Sequence, residues 1–213
     1  MMKALIIGAT GATGKDLVDE LLWDNDYETV TIFVRKATGK QHSKLIEHVV
    51  DFSRPDDYVS LIVGDVLFSC LGTTLKVAGS KEKQWKIDFD IPLKFAELAR
   101  QNNVSTFVLV SALGASAKSK IFYSRMKGEL EDRILGLDFK KCIIFRPGLL
   151  ERPDTDRLGE KFALNILGFF NGLGMFRKHR PLPTRILAQK LAKAPKSQPE
   201  GITYIEKDKI FSF

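Results

Sequence analysis

Tyr123 and Lys127 stand four residues apart in the stretch YSRMK. On a helix, that spacing sets both side chains on one face. A phenol ordinarily titrates near 10, too high for efficient proton transfer at neutral pH. An ammonium group beside it favours the phenolate and lowers that value. Ser111, twelve residues before Tyr123 at the end of TFVLVS, adds a hydroxyl able to hold a carbonyl oxygen. Together the three could move a proton to or from the oxygen of a carbonyl or an alcohol. YxxxK alone is commonplace on helix surfaces, so the reading depends on what brings these residues together.

A second such stretch opens the chain. IGATGATGK places Gly8, Gly11 and Gly14 three apart, between the apolar run KALII and the helical pattern KDLVDELLWD. Glycine permits a tight turn with positive φ and lets a ligand approach the backbone. A helix N-terminus behind it offers unpaired N–H groups and the positive end of the helix dipole, which suits a pyrophosphate. The P-loop pattern is excluded, because Ala9 stands where it needs glycine and Asp16 where it needs Ser or Thr. The spacing is GxxGxxG rather than GxGxxG, and its place in the first strand-to-helix turn gives it weight. Gly8, Thr10, Gly11, Ala12, Thr13 and Gly14 are the phosphate-binding candidates.

At the end of the second strand-like run, VTIFVRK, an NAD site would carry Asp or Glu toward the ribose hydroxyls. Arg35 and Lys36 stand there instead. A carboxylate repels a 2′-phosphate and these cations attract one, so the sequence leans to NADP(H) over NAD(H).

These residues need a frame to position them. KALII, VTIFVR, EHVVDF, DVLFSCLG, TFVLVSA and KCIIFR read as short strands, most of them apolar on both faces as in parallel sheets. Helical patterns lie between them: Lys15 to Trp23; Pro55 to Ile62, with Ser53 as N-cap; Lys83 to Asn102, kinked at Pro92; and Phe122 to Leu135, ended by Gly136. Arg35 to Lys44 is polar and compatible with a short helix or a loop. The alternation predicts an α/β fold, a Rossmann-like doubly wound parallel sheet. Beyond Pro147 the alternation fails. Helical patterns at Glu160 to Phe170 and Thr184 to Ala194, with the strand-like TYIE, suggest that 151–213 form most of a small substrate lobe on a single domain spanning 1–213. Phe162, Ile166, Phe169, Phe170 and Leu173 would share one helix face, as core or as an apolar binding wall.

The 213 residues carry a formal charge of +7, and the pI is about 9.3. Such a balance favours phosphate-bearing ligands of any kind. The lysines at 76, 81, 83 and 86 cluster without a nucleic-acid motif, so a solvated face is the better reading. Cys70 and Cys142 lie in apolar runs and are expected as reduced, buried thiols; the three histidines lack metal-ligand spacing. Phe162 to Phe176 is the most apolar stretch but too short to span a bilayer, which needs about 20 residues. Strand-like sequence from Lys3 onward leaves no room for a leader in this sequence, and a cytoplasmic location is expected.

The chain resembles an atypical short-chain dehydrogenase/reductase over nearly its whole length. It is most similar to the Tat-interacting-protein group, near the NmrA-like branch. The matching stretches are GATGATG at 8–14, VVDF at 49–52, CLGTT at 70–74, the serine of VSALGAS, YSRMKGELE at 123–131 and FRPGLL at 145–150. The resemblance implies a Rossmann sheet, an NADPH-type cofactor, and Ser111, Tyr123 and Lys127 as catalytic triad, with Lys127 also on the nicotinamide ribose. It implies Asp51 and Phe52 near the adenine, Leu71 and Gly72 along the cofactor, and Pro147, Gly148 and Leu149 near the nicotinamide. Classical members add a relay asparagine in the helix before the serine strand; Lys83 to Arg100 contains none. The expected function is hydride exchange between NADP(H) and a small carbonyl or alcohol substrate. The alternative is an NADP(H)-sensing binding protein that contacts a protein partner.

Overall fold

The strongest apolar runs become the centre of a seven-stranded sheet. The computed structural model describes residues 1–151, 181–207 and 209–213. Its strands are β1 (Met2–Ile7), β2 (Tyr27–Val34), β3 (Leu45–Val49), β4 (Val66–Ser69), β5 (Thr106–Val110), β6 (Lys141–Arg146) and, after the short pair β7 (Leu150–Glu151) and β8 (Leu182–Pro183), β9 (Gly201–Glu206). The sheet order is β3-β2-β1-β4-β5-β6-β9, and every pairing is parallel. Leu5, Ile6, Leu67, Phe68, Phe107 and Ile143 are fully buried, as strands covered on both faces require.

The helices are α1 (Ala12–Trp23), α2 (Leu75–Ala78), α3 (Lys81–Trp85), α4 (Ile91–Gln101), α5 (Phe122–Leu135), α6 (Thr184–Ser197) and α7 (Lys209–Ser212). α1 and α6 cover one sheet face through Leu17, Leu21, Leu187 and Leu191. α4 and α5 cover the other through Phe95, Leu98, Leu130 and Ile134. Each such side chain contributes roughly 1.5–3 kcal/mol by burial. Strand order reverses between β1 and β4, so their C-terminal ends open the crevice that doubly wound sheets use for ligands.

Several local expectations are corrected. Pro55 to Ile62 forms two 3-10 turns, Pro55–Asp57 and Val59–Leu61, rather than a helix. Ser53 does not cap it; its N–H and Oγ–H both donate to Asp51. The segment Lys83 to Asn102 is not one helix. α3 runs into a π turn, Lys86–Asp90, before α4 begins with Pro92 in its first turn. Pro92 has no N–H to give, which the start of a helix tolerates. Arg35 to Lys44 is a loop.

The anticipated lobe is also corrected in part. TYIE belongs to β9, which extends the main sheet beside β6, and α6 is a main-sheet helix rather than a lobe helix. Burial decides this: Leu187 and Leu191 need a large apolar face, and α1, β5 and β6 supply it. Tyr27 ties the two together, its buried hydroxyl donating to the Ala192 carbonyl at 2.8 Å. The Glu160 to Phe170 pattern, the apolar wall and the Phe162 to Phe176 stretch lie outside the described residues.

Candidate cofactor crevice and active site

The crevice is shaped by missing Cβ atoms. Gly8 follows β1 with φ +82°, and a Cβ there would stand 2.5 Å from the Cys70 carbonyl carbon. Gly14 sits in the first turn of α1, where a Cβ would stand 2.0 Å from the Gly8 carbonyl oxygen. Gly11 is the N-cap, and its N–H donates to that same oxygen at 3.0 Å. The loop is thus wound on its own backbone, and β1, α1 and the end of β4 meet at contact distance. Thr10 is exposed, Ala12 half-buried and Thr13 buried. The first turn of α1 carries no acidic residue, and its N–H groups lack intrahelical acceptors. The residues therefore fit a dinucleotide pyrophosphate.

The other expected contacts lie at the same end of the sheet. Arg35 and Lys36 are exposed immediately after β2. Asp51 follows β3, and hydrogen bonds from the Ser53 hydroxyl and N–H hold its carboxyl below the usual range. Phe52 packs edge-on against Tyr58, ring centres 6.4 Å apart. Leu71, half-buried, and Gly72, exposed, follow β4; nothing stands within 4 Å of a Cβ built on Gly72. Pro147 is buried while Gly148 and Leu149 are exposed. The Pro147 carbonyl accepts from Leu113 at 2.9 Å, joining the loops after β5 and β6.

Ser111 leaves β5 with its N–H donating to Phe145 at 2.8 Å. On α5, Tyr123 is 38% exposed, whereas Lys127 and Glu131 are only 2% and 1% exposed. The Ser111 hydroxyl donates to Glu131. The loop between Ser111 and α5 is held by Ser116 N–H donating to the Ser124 carbonyl at 3.0 Å. Among the described residues no hydrogen bond joins Ser111, Tyr123 and Lys127 to one another.

Lys127, buried on α5, makes its charge felt at two other groups. Burial pushes the Cys70 thiol up to about 12, and the Lys127 charge opposes that rise. Cys70 is the residue whose backbone meets Gly8, so the Lys127 charge is felt where the glycine loop meets the end of β4. Lys127 also opposes the burial that raises the Asp88 carboxyl.

Sequence reading missed Asp88, Glu131 and Arg146. Asp88 is fully buried in the π turn. Its Oδ1 accepts from Thr73 N–H at 2.8 Å, and among the described residues its Oδ2 accepts no hydrogen bond. Nothing in the local sequence marks a π turn. Glu131 was legible as the third member of a Tyr123, Lys127, Glu131 series at helical spacing.

A family model described as NAD(P)H-binding matches residues 8–140. The chain is 38% identical to protein HTATIP2 of Rattus norvegicus over 169 residues, 76% of this chain and 69% of that protein. It is 34% identical to the mitochondrial protein FMP52 of Saccharomyces cerevisiae over 169 residues, 78% and 73% of the two chains. Among solved structures, the short-chain dehydrogenase/reductase YIR035C from Saccharomyces cerevisiae superposes with TM-score 0.70 at 20% identity, covering 97% of this chain and 96% of that one. The enzyme WbmH of Bordetella bronchiseptica, crystallised with NAD+, gives 0.71 at 18% identity, covering 95% and 74%. At those identities the two structures speak for the fold.

The cytoplasmic expectation is corrected by these relatives: FMP52 proteins from several yeasts, 31–37% identical, are named mitochondrial. Its basis, reduced thiols and an early first strand, does not separate the cytosol from another reducing compartment. No helix among the described residues is long and apolar enough to cross a membrane. With a glycine-wound crevice at the strand-order reversal, a parallel Rossmann sheet and these relatives, the chain belongs to the NAD(P)H-binding family, among the atypical short-chain dehydrogenases/reductases of the HTATIP2 group.

Proposed function

We propose that the chain is an NADP(H)-dependent oxidoreductase interconverting a small carbonyl and its alcohol, with Tyr123 as acid and base. The observation that supports this reading is Lys127, buried on α5, whose charge is felt at Cys70, the residue against whose backbone Gly8 closes. When bound, the dinucleotide supplies or takes up a hydride. Gly8, Gly11 and Gly14 let its pyrophosphate lie against backbone, and the first turn of α1 offers that group N–H donors. Arg35 and Lys36 favour a 2′-phosphate because no carboxylate stands with them at the end of β2. Tyr123 gives its phenolic proton to the substrate oxygen in reduction and recovers it in oxidation. Lys127, one helical turn beyond Tyr123 on the same face of α5, supplies the cation of the site.

Titrating the protein with NADPH and with NADH, read by intrinsic fluorescence, tests the cofactor assignment. Tighter NADPH binding, with the preference narrowed by Arg35→Ala, is expected. Turnover of carbonyl compounds that vanishes in Tyr123→Phe tests the chemistry. Binding of neither cofactor overturns the reading, and binding without turnover leaves a cofactor-sensing protein.

A further inference from the structure

β2 and β3 are neighbouring parallel strands, and such a pair is usually joined by a crossover helix. Here the crossover is the loop from Arg35 to Lys44. It leaves the C-terminal end of β2 and returns to the start of β3 along α1. With no helix or ladder of its own, it depends on side chains to hold it. Lys44 Nζ donates to the Asp24 carbonyl at 2.9 Å. The His42 ring meets Trp23 edge-on, centres 5.6 Å apart, and Lys40 pairs with Asp19. These contacts fix the returning half of the loop to α1.

The half that leaves β2 is held by one side chain. Glu47 of β3 accepts from Thr38 N–H at 3.2 and 3.1 Å, one bond to each carboxylate oxygen, and from the Thr38 hydroxyl. That hydroxyl oxygen in turn accepts from Lys40 N–H at 3.2 Å. β2 ends at Val34, so the clasp leaves only Arg35, Lys36 and Ala37 between two anchors. Both cations are exposed. Among the described residues neither of them forms an ion pair.

We propose that Glu47 is a positioning residue: by clasping Thr38 it holds Arg35 and Lys36 at the end of β2, and so sets the preference for a nucleotide carrying a 2′-phosphate. The proposal rests on the NADP(H) reading, which gives those cations their ligand. Holding them in advance removes an ordering cost that binding would otherwise meet. Glu47 also brings a negative charge, and the two effects are opposite in sign. Acting only as a charge, Glu47 would repel the phosphate, and its removal would tighten NADPH binding. Acting as a clasp, its removal weakens NADPH binding. NADH lacks that phosphate and serves as the reference.

Fluorescence titrations with NADPH and with NADH compare wild type, Glu47→Ala, Glu47→Gln, Arg35→Ala/Lys36→Ala and the three alanine substitutions together. Glu47→Ala should weaken NADPH binding about tenfold and leave NADH binding unchanged. Glu47→Gln should fall between wild type and Glu47→Ala, because its amide oxygen still accepts from Thr38. In the Arg35→Ala/Lys36→Ala background, Glu47→Ala should leave the ratio of the two dissociation constants unchanged. The clasp is also read without nucleotide. Trypsin cleavage after Lys36, followed by mass spectrometry, should be faster in Glu47→Ala than in wild type.

Tighter NADPH binding by Glu47→Ala overturns the proposal, and so does an unchanged ratio. Equal weakening of both nucleotides, which a purely structural role produces, overturns it too, as does a ratio shift that survives loss of the two cations. Equal cleavage rates have the same force. A preference for NADPH that disappears in Arg35→Ala/Lys36→Ala but persists in Glu47→Ala overturns the proposal and leaves the NADP(H) reading intact. Equal binding of the two nucleotides by wild type, or binding of neither, refutes the NADP(H) reading itself, and the positioning role falls with it.

Discussion

Gly128 and Ser116 are in backbone contact: a Cβ built on Gly128 would stand 2.2 Å from the Ser116 carbonyl carbon. The same atom would stand 2.2 Å from the Ala117 nitrogen. A glycine in mid-helix normally costs about 1 kcal/mol relative to alanine. Here it lets the loop carrying Ser111 lie flat on α5, which sets the serine against Glu131. Gly128→Ala should therefore run against propensity. Instead of stabilising, it should destabilise by about 1–3 kcal/mol, as overpacking does, and loosen the Ser111 loop. Urea unfolding with an unchanged m-value measures it. A stabilised Gly128→Ala variant would show that the loop yields freely.

Gly14→Ala tests the cofactor loop by the same logic. The clash is with the Gly8 carbonyl oxygen and carbon, at 2.0 and 2.8 Å, and both are backbone. The first turn of α1 must move away from β1, which would dismantle the pyrophosphate cradle proposed there. NADPH affinity should fall by at least about tenfold even in folded protein. Circular dichroism checks the fold and fluorescence titration the affinity. Retained affinity in a folded variant contradicts the cradle.

These two glycines show what the sequence makes legible. Gly14 is readable because strand, glycines and helix occur in one short run. Gly128 looks like a defect within YSRMKGELE until the loop against it is seen. β1, β2, β4, β5 and β6 are legible because they are apolar on both faces. The π turn is not, because an extra residue in a helical turn leaves no trace in composition. It carries Asp88 inward, where straight helical periodicity through Pro92 gives no reason to look. Arg146 reads as an ordinary charge at a strand end. Its grip on Glu131 and Glu206 joins α5, β6 and β9, which only the fold brings together.

Asp88 gives a pH signature. Burial raises its carboxyl, with the Lys127 charge opposing. A raised native value means that the folded state binds the proton more tightly than the unfolded chain does. This contribution to stability is fully present below the unfolded value, near pH 4, and is lost as pH rises through the native value. Asp88→Asn removes the titration. The stability of wild type relative to Asp88→Asn should therefore fall as pH rises from about 4 toward neutrality. Urea denaturation of both proteins across that range provides the comparison. A difference that is flat, or that grows with pH, would refute a burial-raised Asp88.

The two thiols should be silent in the folded protein. Burial pushes both Cys70 and Cys142 up to about 12. Thiolate, not thiol, attacks a disulfide reagent. At pH 8 both should resist 5,5′-dithiobis(2-nitrobenzoate) until the chain unfolds, and both should react at once in denaturant. Rapid labelling of Cys70 in native protein would mean that the end of β4 is open to solvent thiolate chemistry.

Arg146 makes the strongest stability prediction. Glu131 is 1% exposed, and three of its hydrogen bonds come from this one guanidinium. Removing one partner of a buried pair leaves an uncompensated charge and costs about 3–5 kcal/mol. Arg146→Met should lose that much, since the thioether fills space but donates nothing. Arg146→Lys keeps the charge but not the planar fork that meets both oxygens, so it should fall between wild type and Arg146→Met. In the Glu131→Gln background the loss from Arg146→Met should shrink, because an amide is far less costly to bury unpaired than a carboxylate. Chemical denaturation of the four proteins closes the cycle. Additive losses would mean that the pair is not coupled, and that α5 and β6 are held together by packing alone.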